Sequence, residues 1–298
     1  MSTNASPPPA ARPARGRRLL RLAALGCLGW WLCGFVAAWA ATAPHPSPIA
    51  AQRDLADLPI EPVATTARDG VAVRGWLVDG SRGARCVVLA AGIRGNRMAM
   101  RTRAEWYLRH GWSTLLVDLR GTGESAPERI AMGWSEALDL CAWHAFLQQR
   151  GYGAVAVHGQ SLGAAAAVYT AVRSSSPPRW QFVVLEACYR DIDAALQARL
   201  SWMPSFTLWP LRVCSEWLLG VDADELSPLR AIVQLDAPLL VVCGSEDHKV
   251  GPDAARLLLA ASPARDKHLV TVDGIGHGDL WSAGPALPQA LAAFLARR

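Results

Sequence analysis

Six short apolar runs recur along the chain and constrain its fold more than any other feature. They are CVVLAA (86–91), STLLVD (113–118), AVAVH (154–158), FVVLE (182–186), PLLVVC (238–243) and HLVTV (268–272). Each is continuous rather than alternating in polarity, as in a strand covered on both faces. Between them lie segments with apolar residues at helical spacing: 97–110, 133–151, 162–173, 252–261 and 288–298. Strand–helix alternation of this length dictates an α/β fold, a mostly parallel sheet with helices on both faces. Upstream, PVATTA (62–67) and VAVRGWLV (71–78) flank Arg68-Asp69-Gly70 and read as an antiparallel hairpin, giving eight strands in all. Residues 188–230 break the rhythm with aromatic residues and Pro but no strand signal, and read as a helical insertion over one edge of the sheet.

The N-terminal region has a different character. The net charge of +5 resides in Arg12, Arg15, Arg17, Arg18 and Arg21; without them 25 basic residues balance 25 acidic ones. No basic stripe remains for nucleic acid, which is excluded as a partner. Residues 1–21 read as a basic disordered segment, and 22–43 as a transmembrane helix or signal segment. The Pro-rich stretch 44–59 reads as a linker and 60–298 as the globular domain. Residues 22–41 carry no charge, enough for a helix to cross the hydrocarbon core. Arginines on the N-terminal flank favour a cytoplasmic N-terminus, with the domain periplasmic or extracytoplasmic. A cleaved signal, leaving a secreted protein, is the competing expectation, because Ala38-Trp39-Ala40 and Ala41-Thr42-Ala43 resemble cleavage sites. Pro44 disfavours the second of these.

Gly159-Gln160-Ser161-Leu162-Gly163 directly follows a strand run and opens a helical one. That strand–turn–helix context is what a nucleophile elbow requires, with Gly at the two positions where a side chain would strike backbone. A serine nucleophile needs a base and an orienting carboxylate. Of seven histidines, His277 alone sits in a Gly-rich loop, DGIGHGDL, between the last strand and the last helix. Asp247, in GSEDHKV after PLLVVC, is the expected acid; Glu186, at the end of FVVLE, is its substitute. The oxyanion hole is expected from the N–H groups of Leu162 and Ile93, the latter in LAAGIRGNR. Arg94 and Arg97 flank that loop, as anion-attracting groups or as solvated surface residues. Trp202, Trp209 and Trp217 of the insertion either line an acyl pocket or pack the insertion onto the sheet. There is no C-x-x-C, no H-E-x-x-H and no paired Cys/His spacing, so no metal or cofactor is expected.

Together LAAGIRGN, VDLRGTGES, HGQSLGA, DAPLLVVCGSEDHKV and GIGHG resemble the α/β-hydrolase superfamily, in particular its small esterase- and lipase-like serine hydrolases, including membrane-anchored members. The resemblance runs from about residue 60 to the C-terminus. It implies Ser161 as nucleophile, Asp247 as acid and His277 as base, in agreement with the residues read singly. One departure is Ala91, where such proteins commonly carry His before the Gly of the oxyanion loop. The expected activity is cleavage of a small-molecule carboxylic ester through an acyl-enzyme. A peptidase or thioesterase using the same triad, and an inactive membrane-tethered binding module, are the alternatives. The sequence points to no particular protein partner.

Overall fold

The computed structural model describes residues 14–80, 84–251 and 253–297. Its strands, in chain order, are β1 (His45–Pro46), β2 (Asp54–Leu55), β3 (Leu58–Thr66), β4 (Ala72–Val78), β5 (Arg85–Ala90), β6 (Ser113–Val117), β7 (Thr122–Gly123), β8 (Ala154–Gln160), β9 (Val183–Glu186), β10 (Leu239–Gly244) and β11 (Lys267–Val272). Its helices are α1 (Ala14–Thr42), α2 (Arg101–Arg109), α3 (Glu136–Gln149), α4 (Leu162–Arg173), α5 (Ile192–Arg199), α6 (Trp209–Leu219), α7 (Pro228–Ala231), α8 (Ala254–Ala261) and α9 (Ala286–Leu295).

The main sheet runs β11-β10-β9-β8-β5-β6-β4-β3-β2. Its six strands from β11 to β6 are parallel, and β4, β3 and β2 continue it antiparallel. These are the eight expected strands with the two-residue β2 added at the edge. Side chains alternate between two cores as the pleat requires. Cys86, Val88 and Ala90 join the core beneath α3 and α4, whereas Val87 and Leu89 join the one beneath α2 and α9. The chain leaves β5 for β6 on one side and returns to β8 on the other. Such a reversal of strand order opens a crevice at the carboxyl ends of the strands. The loops after β5 and β8 therefore face each other there.

Two expectations for the N-terminal region are corrected. The helix begins at Ala14 and takes in Arg17, Arg18 and Arg21, part of the segment expected to be disordered; residues 1–13, with Arg12, lie outside the described residues. The stretch 44–59 is not a free linker, because β1 pairs in parallel with β7, His45 N–H donating to Gly121 and Ser47 N–H to Gly123. Those two N–H groups thus find partners in the domain rather than in water.

The insertion is helical, built from α5, a 3-10 turn at Ser205–Leu208, α6 and α7. α6 packs along the second half of α1. Gly34 and Ala38 of α1 are buried there, and a Cβ at Gly34 would lie 2.5 Å from that of Pro210. Small residues at such spacing let two helices approach closely. Trp30 and Trp31 meet Trp209, with ring centroids 6.4 and 5.2 Å away, and Phe35 meets Trp217 at 6.2 Å.

Candidate active site

Ser161 stands between β8 and α4 with φ 50° and ψ −104°, a conformation that a side chain occupies only under strain. The flanking glycines permit the turn. A Cβ at Gly159 would strike the Gly163 backbone, and one at Gly163 would strike the Ala90 carbonyl. Ala164, Ala165, Ala166 and Ala167 are fully buried, so the small residues after the elbow serve close packing of α4 on the sheet.

Ser161 Oγ lies 3.1 Å from His277 Nε2, and His277 Nδ1 lies 2.8 Å from Asp247 Oδ2. Asp247 Oδ1 accepts the N–H groups of Lys249 and Val250, at 3.0 and 3.3 Å. Burial pushes the Asp247 carboxyl upward, but its bond to and the charge of His277, with those two N–H groups, outweigh burial and hold it below the usual carboxylate range. The loops carrying His277 and Asp247 are fastened backbone to backbone. Glu246 N–H donates to Ile275 at 2.9 Å and Ser245 N–H to Val272 at 3.0 Å, while a Cβ at Gly244 would strike the Ile275 carbonyl.

The loop after β5 approaches Ser161 from the other side. Gly163 N–H donates to Ala91 at 3.1 Å, and a Cβ at Gly92 would lie 3.4 Å from that of Ser161. Among the described residues no acceptor is bonded to the N–H of Ile93 or of Leu162. Both residues line a cavity of about 320 Å³ with Ser161, Met132, Tyr189, Ile192, Ala195, Leu196, Arg94, Arg199 and Ala41, the last from α1. The arrangement has the parts for acyl transfer: a hydroxyl bonded to an imidazole, a carboxylate on its far nitrogen, and free N–H groups beside the hydroxyl.

The sequence profile of the family described as serine aminopeptidase, S33, matches residues 82–229. Among solved structures, the Pyrococcus furiosus esterase Pf2001 superposes with a TM-score of 0.69 at 19% identity, covering 86% of this chain and 98% of that one. An acetyl xylan esterase from Paenibacillus does so with a TM-score of 0.64 at 16% identity, covering 90% and 93%. The chain has the α/β-hydrolase fold. In sequence it is similar to the uncharacterized protein YqkD of Bacillus subtilis, 25% identical over 60% of this chain and 60% of that protein's length, short of two thirds. It is also similar to the uncharacterized protein Rv2307c of Mycobacterium tuberculosis, 27% identical over 73% of this chain and 72% of that protein.

Within this hydrolase fold several sequence expectations find a different place. Glu186 does not approach His277. Its carboxylate accepts Arg103 Nε at 2.8 Å and Nη2 at 2.6 Å, and it is bonded to His158. Arg97 is neither an anion-attracting nor a solvated residue. It is buried, bonds Asp118 and Glu124, and stacks over Trp76. Trp202, Trp209 and Trp217 are absent from the lining of the cavity beside Ser161; Trp209 and Trp217 pack on α1 instead, and Trp202 is 79% exposed.

Two further supports are not legible in the sequence. Arg103 also binds Asp279, two residues beyond His277, at 2.9 Å, and so ties the His277 loop to the end of β9. The loop that follows Ala91 is braced by Arg97 N–H donating to Asp118 at 2.7 Å and by Asn96 Oδ1 accepting Met98 N–H at 3.0 Å. The only available signal was an Asp close after His277 and arginines inside a helical pattern, and neither reveals burial.

Proposed function

We propose that this α/β hydrolase is a serine esterase that cleaves a carboxylic ester by acyl transfer to water. The observation that carries the reading is the hydrogen-bonded chain from Ser161 through His277 to Asp247, set at a strained elbow beside two unoccupied N–H groups. Ser161 Oγ attacks the acyl carbonyl as His277 Nε2 takes its proton. Asp247 stabilises the imidazolium, and the N–H groups of Ile93 and Leu162 receive the oxyanion. His277 then returns the proton to the leaving alcohol and activates the water that resolves the acyl-enzyme.

The cavity lining supports an ester over a peptide with a free amino terminus. Among the described residues it carries Arg94 and Arg199 but no carboxylate to receive a substrate ammonium. We read α1 as an uncleaved anchor, with the hydrolase domain outside the cytoplasm. Its length and apolar composition suffice to cross a bilayer, although a signal segment has the same properties. Its packing on α6 favours retention, since cleavage after Ala40 or Ala43 would strip α6 of its partner.

Ser161→Ala is expected to abolish labelling by a fluorophosphonate and to lower kcat on short p-nitrophenyl esters by about 10⁶-fold. Labelling that survives the substitution would refute Ser161 as nucleophile.

A further inference from the structure

The insertion carries a surface that the esterase chemistry does not use. Between residues 201 and 220 the exposed side chains are all uncharged, with Trp202, Phe206 and Trp217 at 79%, 69% and 74% exposure. The two charged residues of the segment, Arg212 and Glu216, are partly buried and paired with each other at 3.1 Å. This face adjoins α1 at Phe35, and α1 itself exposes Leu28, Leu32 and Val36.

Several carbonyls of the turn that leads into α6 are bonded within the protein. Leu200 accepts Met203 N–H, Pro204 accepts Thr207 N–H, and Phe206 accepts Trp209 N–H. Met203 accepts Gln197 Nε2, and Thr207 accepts the Trp30 indole of α1 at 3.0 Å. In water such closure is optional; irregular backbone in hydrocarbon requires it. Along α1, Trp30 precedes Ala41 by about 16 Å at 1.5 Å per residue, roughly half the thickness of a hydrocarbon core. At the other end of that interval lies a polar collar. Arg94 donates to the Ala40 carbonyl at 2.9 Å, and Arg129 donates to Thr42 Oγ1 at 3.0 Å with Trp39 beneath its guanidinium. Arginine and tryptophan together mark the depth of a lipid headgroup layer.

We propose that segment 201–220 lies in the lipid together with α1, and that the substrate is a long-chain acyl ester dissolved in the bilayer, which reaches Ser161 past Ala41. The proposal rests on α1 as an uncleaved anchor and on Ser161 as the nucleophile. It makes the cavity beside Ser161 open at the lipid–water boundary, because α1 itself supplies Ala41 to its wall. The carbonyl and Ser161 then meet at headgroup depth while the acyl chain stays in the lipid.

The test uses the full chain reconstituted into phosphatidylcholine vesicles. Hydrolysis of a fluorogenic long-chain ester dissolved in those vesicles is compared with that of a short p-nitrophenyl ester in water. Trp202→Asp with Phe206→Asp is expected to lower the ratio of the two rates by about ten-fold or more, as charged residues resist lipid. An unchanged ratio overturns the proposal, whatever happens to the two rates separately. A second reading needs no activity. The emission lost in Trp202→Phe and in Trp217→Phe is expected to be quenched by brominated lipid in the parent protein. Quenching of that emission by aqueous iodide alone would mean that the face meets water or a soluble partner, and would equally overturn it. If the parent protein hydrolyses neither ester and resists fluorophosphonate, the esterase reading has failed; the quenching result still decides the surface.

Discussion

Two chains of hydroxyl, imidazole and carboxylate lie among the described residues. In one, Ser161 Oγ meets His277 at 3.1 Å and His277 meets Asp247 at 2.8 Å. In the other, Tyr107 Oη meets His158 Nδ1 at 3.1 Å and His158 Nε2 meets Glu186. Their surroundings separate them. His158 and Glu186 are fully buried, and Arg103 binds both oxygens of Glu186. Burial, helped by Arg103, pushes His158 below its ordinary value. That imidazole is discouraged from taking a proton, and the hydroxyl beside it is a buried tyrosine whose own value burial raises. Around His277, among the described residues, no arginine is bonded to the Asp247 carboxylate, the hydroxyl sits on a strained turn, and a cavity opens beside it. On the proposed reading, the same three groups make a rigid strut in one place and a proton-transfer device in the other. The difference lies in where the countercharge stands and whether a substrate can enter.

Substitutions of the two carboxylates test that division. Asp247→Asn is expected to lower kcat on p-nitrophenyl esters by about 10⁴-fold, because the amide holds the imidazole in the wrong tautomer. Its unfolding midpoint in guanidinium should move little. Glu186→Gln is expected to do the opposite. It leaves buried Arg103 with the half-exposed Asp279 as its remaining countercharge, a loss of up to about 3–5 kcal/mol of stability, while the folded fraction keeps its kcat within about ten-fold. A fall in kcat for Glu186→Gln as deep as that for Asp247→Asn, at unchanged stability, would show that the sealed chain takes part in turnover.

The sequence made one of these chains readable and hid the other. The elbow is legible because Gly159 and Gly163 answer a local steric demand that few other structures make. His277 and Asp247 are legible because each sits in a loop after a strand run, and sheet topology brings such loops together. Nothing local distinguishes Arg103 on α2 from a solvated helix cation, since its burial is decided by strands more than eighty residues away, as its bond to Glu186 shows. The tryptophans of the insertion are misleading for the same reason. Their apolar character announces burial, but Trp209 and Trp217 only meet α1 on one side and Trp202 stays exposed. The two-residue pairing of β1 with β7 is shorter than any pattern a period can reveal.

Acid sharpens the comparison by a smaller effect. Burial alone would raise Glu186, but its bonds to Arg103 and His158 outweigh burial and hold it at about 2, against an ordinary 4.5. A carboxyl held low in the folded state contributes stability that is complete above its unfolded value and is lost as pH falls through the folded one. The contribution of Glu186 is therefore whole above about pH 4.5 and fades toward pH 2. Guanidinium unfolding across that window should show parent protein and Glu186→Gln converging as acid is added. Asp247 is also held low, but by one imidazole and two N–H groups rather than by a guanidinium gripping both oxygens. Parent protein and Asp247→Asn should converge in the same direction by less. Equal convergence would mean that the arginine does not set the two chains apart, and that burial of the imidazole alone keeps His158 from acting as His277 does.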